Sequence, residues 1–175
     1  MFAPPFEKVP PTALQPENVL VDGARHAALG LLLGCLTLDP PLIAISTLFS
    51  VSIDVDHVFQ LTGLSYLPRP AHSLVFLAAL LGSLWLRHRR RDLVFVSASA
   101  FLGHITLDTG RFPLLSPIYL HYFTLPDWAD TAFIIAAVAL NATYAYQHWN
   151  ARRSKNRTPQ EAKTGLSGSP RAGRS

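Results

Sequence analysis

The chain has 175 residues, of which 49% are hydrophobic and 15% charged, against roughly 25% charged in an average soluble domain. With a mean hydropathy of +0.24, this excludes a chain disordered throughout and leaves one ordinary domain or a small bundle of membrane segments. The net charge of +4 is unevenly placed: residues 151–175 hold seven Lys/Arg against one Glu, and the first 150 residues hold eight against ten acids. Basic character therefore belongs to a tail, and no nucleic-acid partner is expected for the body. A single cysteine, Cys35, in an apolar run excludes an intrachain disulfide framework and a cysteine-type zinc knuckle.

Residues 1–23 are polar and carry Pro4, Pro5, Pro10, Pro11 and Pro16. They read as an irregular arm, and no basic segment leads into an apolar one as in a signal peptide. Five apolar runs follow: Ala27–Leu38, Leu42–Ile53, Leu74–Leu86, Leu93–Leu107 and Ala132–Tyr146. Asp39-Pro40-Pro41, Leu67-Pro68-Arg69-Pro70, the basic cluster Arg87–Arg91 and the stretch Thr109–Thr131, with Gly110, Pro113, Pro117 and Pro126, separate them. Runs of 12–15 residues rich in Leu and Ala exceed ordinary strands and predict helices. After Asn150 the Ser, Gly, Lys, Arg and Pro content predicts disorder. The expected division is an arm (1–23), a helical body (24–150) and a disordered basic tail (151–175).

Each run is shorter than the ~20 residues that cross a bilayer core, which taken alone argues for buried helices of a soluble bundle. The runs are nevertheless apolar on every face, unlike a surface helix of a soluble protein. Gly30-x-x-x-Gly34 in the first run fits close packing of membrane helices, or simply two glycines in an apolar run. The expected fold is all-α, a membrane-embedded bundle of about five short helices. Positive loops stay cytoplasmic, and the two basic clusters are separated by two runs, so both fall on one side. This predicts a multi-pass protein of the cell (inner) membrane with its N-terminus outside. Its C-terminal tail would lie inside, able to touch anionic lipid.

On that topology His26 opens the first helix at its outer end. Asp54, Asp56 and His57 close the second there, His72 opens the third, and His104 and Asp108 end the fourth. Seven donors from four helices thus meet one membrane face. His104 and Asp108 are i and i+4 and share a helix face, and Asp54 and His57 at i and i+3 do the same. Imidazoles with carboxylates suit Zn²⁺, and also Mn²⁺ or Fe²⁺. Seven donors exceed one tetrahedral site and suit two ions with Asp54 or Asp56 bridging, an arrangement that activates water and stabilises displacement at phosphorus. Each of these residues alone reads equally as a helix cap or a solvated charge; the joint pattern points to metal. His88 and His148 fall on the opposite face. His121, with Tyr119 and Tyr122, reads as a substrate contact or as part of an interfacial aromatic belt.

Four blocks carry a family resemblance. They are His26, then Ile53-Asp54-Val55-Asp56-His57, then Arg69-Pro70-Ala71-His72-Ser73, then Gly103-His104-Ile105-Thr106-Leu107-Asp108. Together with Thr109–Pro117 they resemble the YdjM-like family of membrane-bound metal-dependent hydrolases over roughly residues 25–118. That family is similar in pattern to zinc-dependent phospholipase C. The resemblance implies phosphoester hydrolysis at a centre of two or three zinc ions. Leu67-Pro68-Arg69-Pro70-Ala71 departs from the family's His-Arg-Gly type lead-in. His26, Asp56, His57, His72, His104 and Asp108 would hold metal. Asp54 would bridge or act as general base, Arg69 would clamp an anionic group, and Ser73 would donate a hydrogen bond that fixes a ligand. The expected substrate is a small-molecule or lipid phosphoester reaching the outer face from the bilayer. A metal or ion transporter and a non-catalytic membrane scaffold are the other two classes consistent with these residues.

Overall fold

Five α-helices account for most of the computed structural model, which describes residues 16–56, 69–108, 111–118 and 123–164. They are α1 (Pro16–Cys35), α2 (Pro40–Ser52), α3 (Leu74–His88), α4 (Arg91–Leu107) and α5 (Trp128–Thr164). Two short 3-10 turns, Ile53–Asp56 and Pro70–His72, sit beside the ends of α2 and α3. A two-residue ribbon pairs β1 (Arg111–Phe112) with β2 (Phe123–Thr124), with Arg111 opposite Thr124 and Phe112 opposite Phe123. The all-α expectation holds, and each apolar run seeds one helix.

α1 and α2 lie antiparallel across a tight turn, where the Thr37 hydroxyl donates to the Gly34 carbonyl at 2.7 Å. Their approach is close because Gly30 and Gly34 face α2. A Cβ on Gly30 would stand 2.7 Å from Ser50 Cβ, and one on Gly34 would stand 2.9 Å from Ile43 Cα. Ser46 Oγ donates to the Gly30 carbonyl at 2.7 Å and seals the same seam. The glycine pair therefore packs two segments of one chain.

α4 runs through the middle, with Val96, Ala100, Phe101, Gly103, His104 and Ile105 buried. α5 lies along it, and Ser99 Oγ donates to the Ala137 carbonyl at 2.9 Å. Asn141 of α5 donates to the Leu33 carbonyl at 2.7 Å and ties α5 to the end of α1. Ile53, Ala71, Phe101 and Ile105 form an apolar core with Phe49, Leu77, Leu114, Leu125 and Phe133 around it. α3 sits at the edge, and none of its residues is buried although it reads LVFLAALLGSLWLRH.

Two boundaries differ from the sequence expectation. α1 begins at Pro16, so residues 16–23 are helix and not irregular arm. Proline is at home in the first helical turn, where its missing N–H would be unpaired anyway. α5 continues through Thr164, so residues 151–164 are helix and not disordered tail. Extending an existing helix avoids the cost of nucleation, and Arg, Lys, Gln, Glu and Ala are good helix formers. Residues 1–15 and 165–175 lie outside the described residues. Among the described helices one, Trp128–Ser154, is long and apolar enough to cross a membrane by length and composition.

Candidate metal centre

The ends of α2 and α4, the middle of α1 and the turn before α3 meet at one end of the bundle. His26 is the eleventh residue of α1 and so lies at mid-helix, not at the helix opening. It is fully buried, and neither ring nitrogen has a hydrogen-bond partner. Its Nε2 lies 3.4 Å from Asp108 Oδ1, 3.7 Å from Asp54 Oδ2 and 3.7 Å from Asp22 Oδ2. Its ring stacks on His104 with centroids 3.9 Å apart.

The other two histidines are oriented by what they touch on their far side. His104 Nδ1 is 2.6 Å from the Ser50 carbonyl, so that nitrogen must carry the proton. His72 Nδ1 is 2.9 Å from Asp56 Oδ2. Both Nε2 atoms therefore turn inward, and they stand 2.9 Å apart. With His72 doubly protonated, its Nε2–H donates to His104 Nε2, and Arg69 Nη2 lies 2.5 Å from the same His72 nitrogen, so a metal binding here would displace that proton. Asp54 Oδ1 is 3.5 Å from each of these nitrogens. Asp108 Oδ2 is 2.9 Å from His72 Nε2 and 3.6 Å from His104 Nε2.

The separations of 3.4–3.6 Å fit coordination geometry, whereas the two of 2.9 Å at His72 Nε2 are hydrogen-bond distances. Donors bound at ~2.0–2.2 Å in a tetrahedron stand roughly 3.3–3.6 Å apart. His26, Asp54, His104 and Asp108 each offer one ligand atom, all within 4.8 Å of one another, and form a cluster that could hold a metal ion. His72 Nε2 adjoins three of the four.

The local field points the same way. α2 and α4 both end at the cluster, and a helix C-terminus carries partial negative charge. Asp54, Asp56 and Asp108 add to that field where a carboxylate is disfavoured, so positive charge must compensate. Arg69 supplies some: its Nη2 is 2.9 Å from Asp108 Oδ2 and 3.2 Å from Asp54 Oδ1. Burial alone would raise the Asp108 pKa. Contacts with His104, His26 and His72 and the charge of Arg69 outweigh burial and hold the carboxyl well below the usual range. Burial likewise works to lower the His72 pKa, yet hydrogen bonds to Asp108, Asp54 and Asp56 raise it to about 9.

Two expected roles come out differently, those of Asp56 and Ser73. Asp56 is buried behind His72, accepting from its Nδ1 and from the Ala71 amide at 3.2 Å. It orients the His72 ring, the place a carboxylate takes behind a histidine that binds metal. Ser73 does not bond a ligand. Its Oγ accepts from the Phe76 amide and donates to the Pro70 carbonyl, so it caps α3 and closes the turn that carries His72. Arg69 is engaged by the carboxylates themselves. His57, Tyr119, His121 and Tyr122 lie outside the described residues. Sequence reasoning missed Asp22, and the i, i+4 spacing to His26 was its available signal.

At the opposite end stand Arg89, Arg90 and Arg91. Arg91 packs over Trp85 at 5.5 Å, Arg153 packs over Trp149 at 5.4 Å, and Arg90 pairs with Asp92. An apolar groove lined by Leu31, Ile43, Ala44, Thr47 and Leu48 lies on the α1–α2 face and contains no ionisable side chain. Comparisons with protein-family models, with curated proteins and with solved structures find no match.

Proposed function

We propose that the chain is a membrane-bound metal-dependent hydrolase of the YdjM-like kind, acting on a phosphoester or lipid-like substrate at the outer membrane face. The carrying observation is the group His26, Asp54, His104 and Asp108, whose ligand atoms all lie within 4.8 Å of one another, with His72 Nε2 beside it. Zn²⁺ suits two imidazoles and two carboxylates best, with Mn²⁺ or Fe²⁺ as substitutes. Asp54 and Asp108 each turn one oxygen to His26 and the other to His72 and His104, which supports two or three ions.

Metal held there would polarise a phosphoryl oxygen and make a nearby water more acidic. The chain's own residues do the remainder. His26, His72, His104, Asp54 and Asp108 hold the metal, and Asp56 and the Ser50 carbonyl aim two of the rings. Asp54 is more exposed than Asp108, 18% against 11%, and so meets incoming water first. Where Asp54 does not bridge two ions, its free oxygen would take the proton as the water oxygen bonds to phosphorus and the ester P–O bond breaks, and would return that proton to the leaving oxygen. Arg69 steadies an anionic oxygen of the substrate while one nitrogen stays on the carboxylates.

A bilayer setting rests on α3, apolar on all sides with no residue buried, and on the span Trp128–Ser154. The arginines and tryptophans at the far end suit a cytoplasmic face with anionic headgroups. Transport is the second reading. The full burial of His26, His72 and His104 is what favours it, while the cluster's place at one end of the bundle favours surface chemistry, since transport sites lie near the membrane midplane.

Elemental analysis of the purified chain, followed by turnover on phospholipid vesicles, tests the proposal. The expected result is at least two ions per chain and hydrolysis that a chelator abolishes and Zn²⁺ restores. No bound metal sinks it, and metal flux into liposomes without hydrolysis replaces it by transport.

A further inference from the structure

The two faces of the shared carboxylates are furnished unequally by the residues named so far. His72 and His104 stand on one face, and His26 alone on the other. Asp22, one helical turn before His26, fills the gap. Its Oδ2 is 3.7 Å from His26 Nε2, as is Asp54 Oδ2, and Asp108 Oδ1 is 3.4 Å away. An ordinary charge-assisted bond would bring at least one oxygen to about 2.7–2.9 Å. Here three carboxylates from three elements halt at 3.4–3.7 Å around one nitrogen. Measured to that nitrogen, the spacing is close to the roughly 3.3–3.6 Å between neighbouring ligands of one ion when each bond is ~2.0–2.2 Å. The nitrogen belongs to a fully buried ring that has no hydrogen-bond partner on either side.

We propose that Asp22 is a metal ligand, completing a second cation site with His26, Asp54 Oδ2 and Asp108 Oδ1. The proposal rests on the metal-centre reading and adds to it a residue and a division of labour. Three carboxylates and one imidazole form a harder donor set than two of each. This site therefore tolerates Mn²⁺ better than the His72–His104 side does. Its outer wall is the Asp22 side chain, 46% exposed, so its ion is the one that exchanges with solvent first.

The test uses the full chain, stripped with chelator and titrated with Zn²⁺ and with Mn²⁺ in a calorimeter, with elemental counts after gel filtration. Wild type is expected to bind two ions of unequal affinity. Asp22→Asn should keep the tighter ion and weaken the second by roughly 10–100-fold, and Asp22→Glu should recover part of that loss. Asp22 is half-exposed on a helix, and circular dichroism verifies that the variants fold. A spin-coupled Mn²⁺ pair in the wild-type electron paramagnetic resonance spectrum should become a single uncoupled ion in Asp22→Asn. Wild-type titration by Asp22→Asn, or an equal few-fold weakening of both ions, overturns the proposal. So does one ion in wild type, which leaves the metal centre standing. No ion in wild type removes the centre and the proposal together.

Discussion

His26, His72 and His104 are all fully buried, and they differ in what holds them. His72 and His104 each spend one nitrogen on an oxygen behind the ring, which leaves the other for the centre, whereas His26 has no such partner. Asp108, like Asp54, is a carboxylate that all three reach, and at the shorter distances to His26 and His72. Asp108→Asn should therefore lower metal affinity by at least 10–100-fold, measured by titration of the stripped protein; unchanged affinity would remove Asp108 from the centre. Proton linkage gives a second expectation at this scale. In the metal-stripped protein His72 titrates near 9 against an ordinary 6.5. Stability from a pKa raised by folding is fully present below 6.5 and is lost as pH climbs through about 9. The melting temperature of stripped protein should thus fall between pH 6.5 and 9, while metal-loaded protein should hold steadier there. Parallel melts with and without chelator check this, and identical alkaline limbs would contradict it.

At the scale of elements, the seam between α1 and α2 reaches the centre through Ser50. Its Cβ faces Gly30 and its carbonyl holds His104. Gly30→Ala should cost about 1–3 kcal/mol through overpacking and weaken metal binding as well, because spreading the helices displaces that carbonyl. Gly103→Ala should be milder, since its nearest obstacle is the flexible end of Leu33. Denaturant unfolding of the two variants, with metal counts, separates these outcomes. The same seam shows what the sequence makes legible. Long apolar runs between prolines locate five helices, and the i, i+4 pair His104–Asp108 announces a shared face. The start of α1 is hidden because Pro16 suits both an irregular arm and a first helical turn, and Asp22 is lost with it. The roles of Asp56 and Ser73 are hidden for another reason. In a 3-10 turn neighbouring side chains diverge steeply, so a ligand and the group behind a ligand carry the same letters in the same block.

For the whole molecule, the up-and-down course of the chain sends the metal centre and the arginine cluster to opposite ends. The proposed topology predicts that a cysteine at Ile118, 80% exposed in the segment between α4 and α5, reacts with a membrane-impermeant thiol reagent in intact cells. One at Arg89 should react only after lysis. Both belong in a Cys35→Ser background, because Cys35 is itself exposed. The reverse labelling pattern would invert the orientation, and equal labelling of both would argue against a spanning arrangement. α5 has 37 residues in one helix, about 55 Å at ~1.5 Å per residue. It starts at Trp128 and runs past the arginine end, and Pro159, which has no amide hydrogen, interrupts its hydrogen-bond ladder near the distal tip. A pull on the basic end would therefore reach the body through the stretch ahead of Pro159, which packs along α4, making that end a lever arm as well as an anchor.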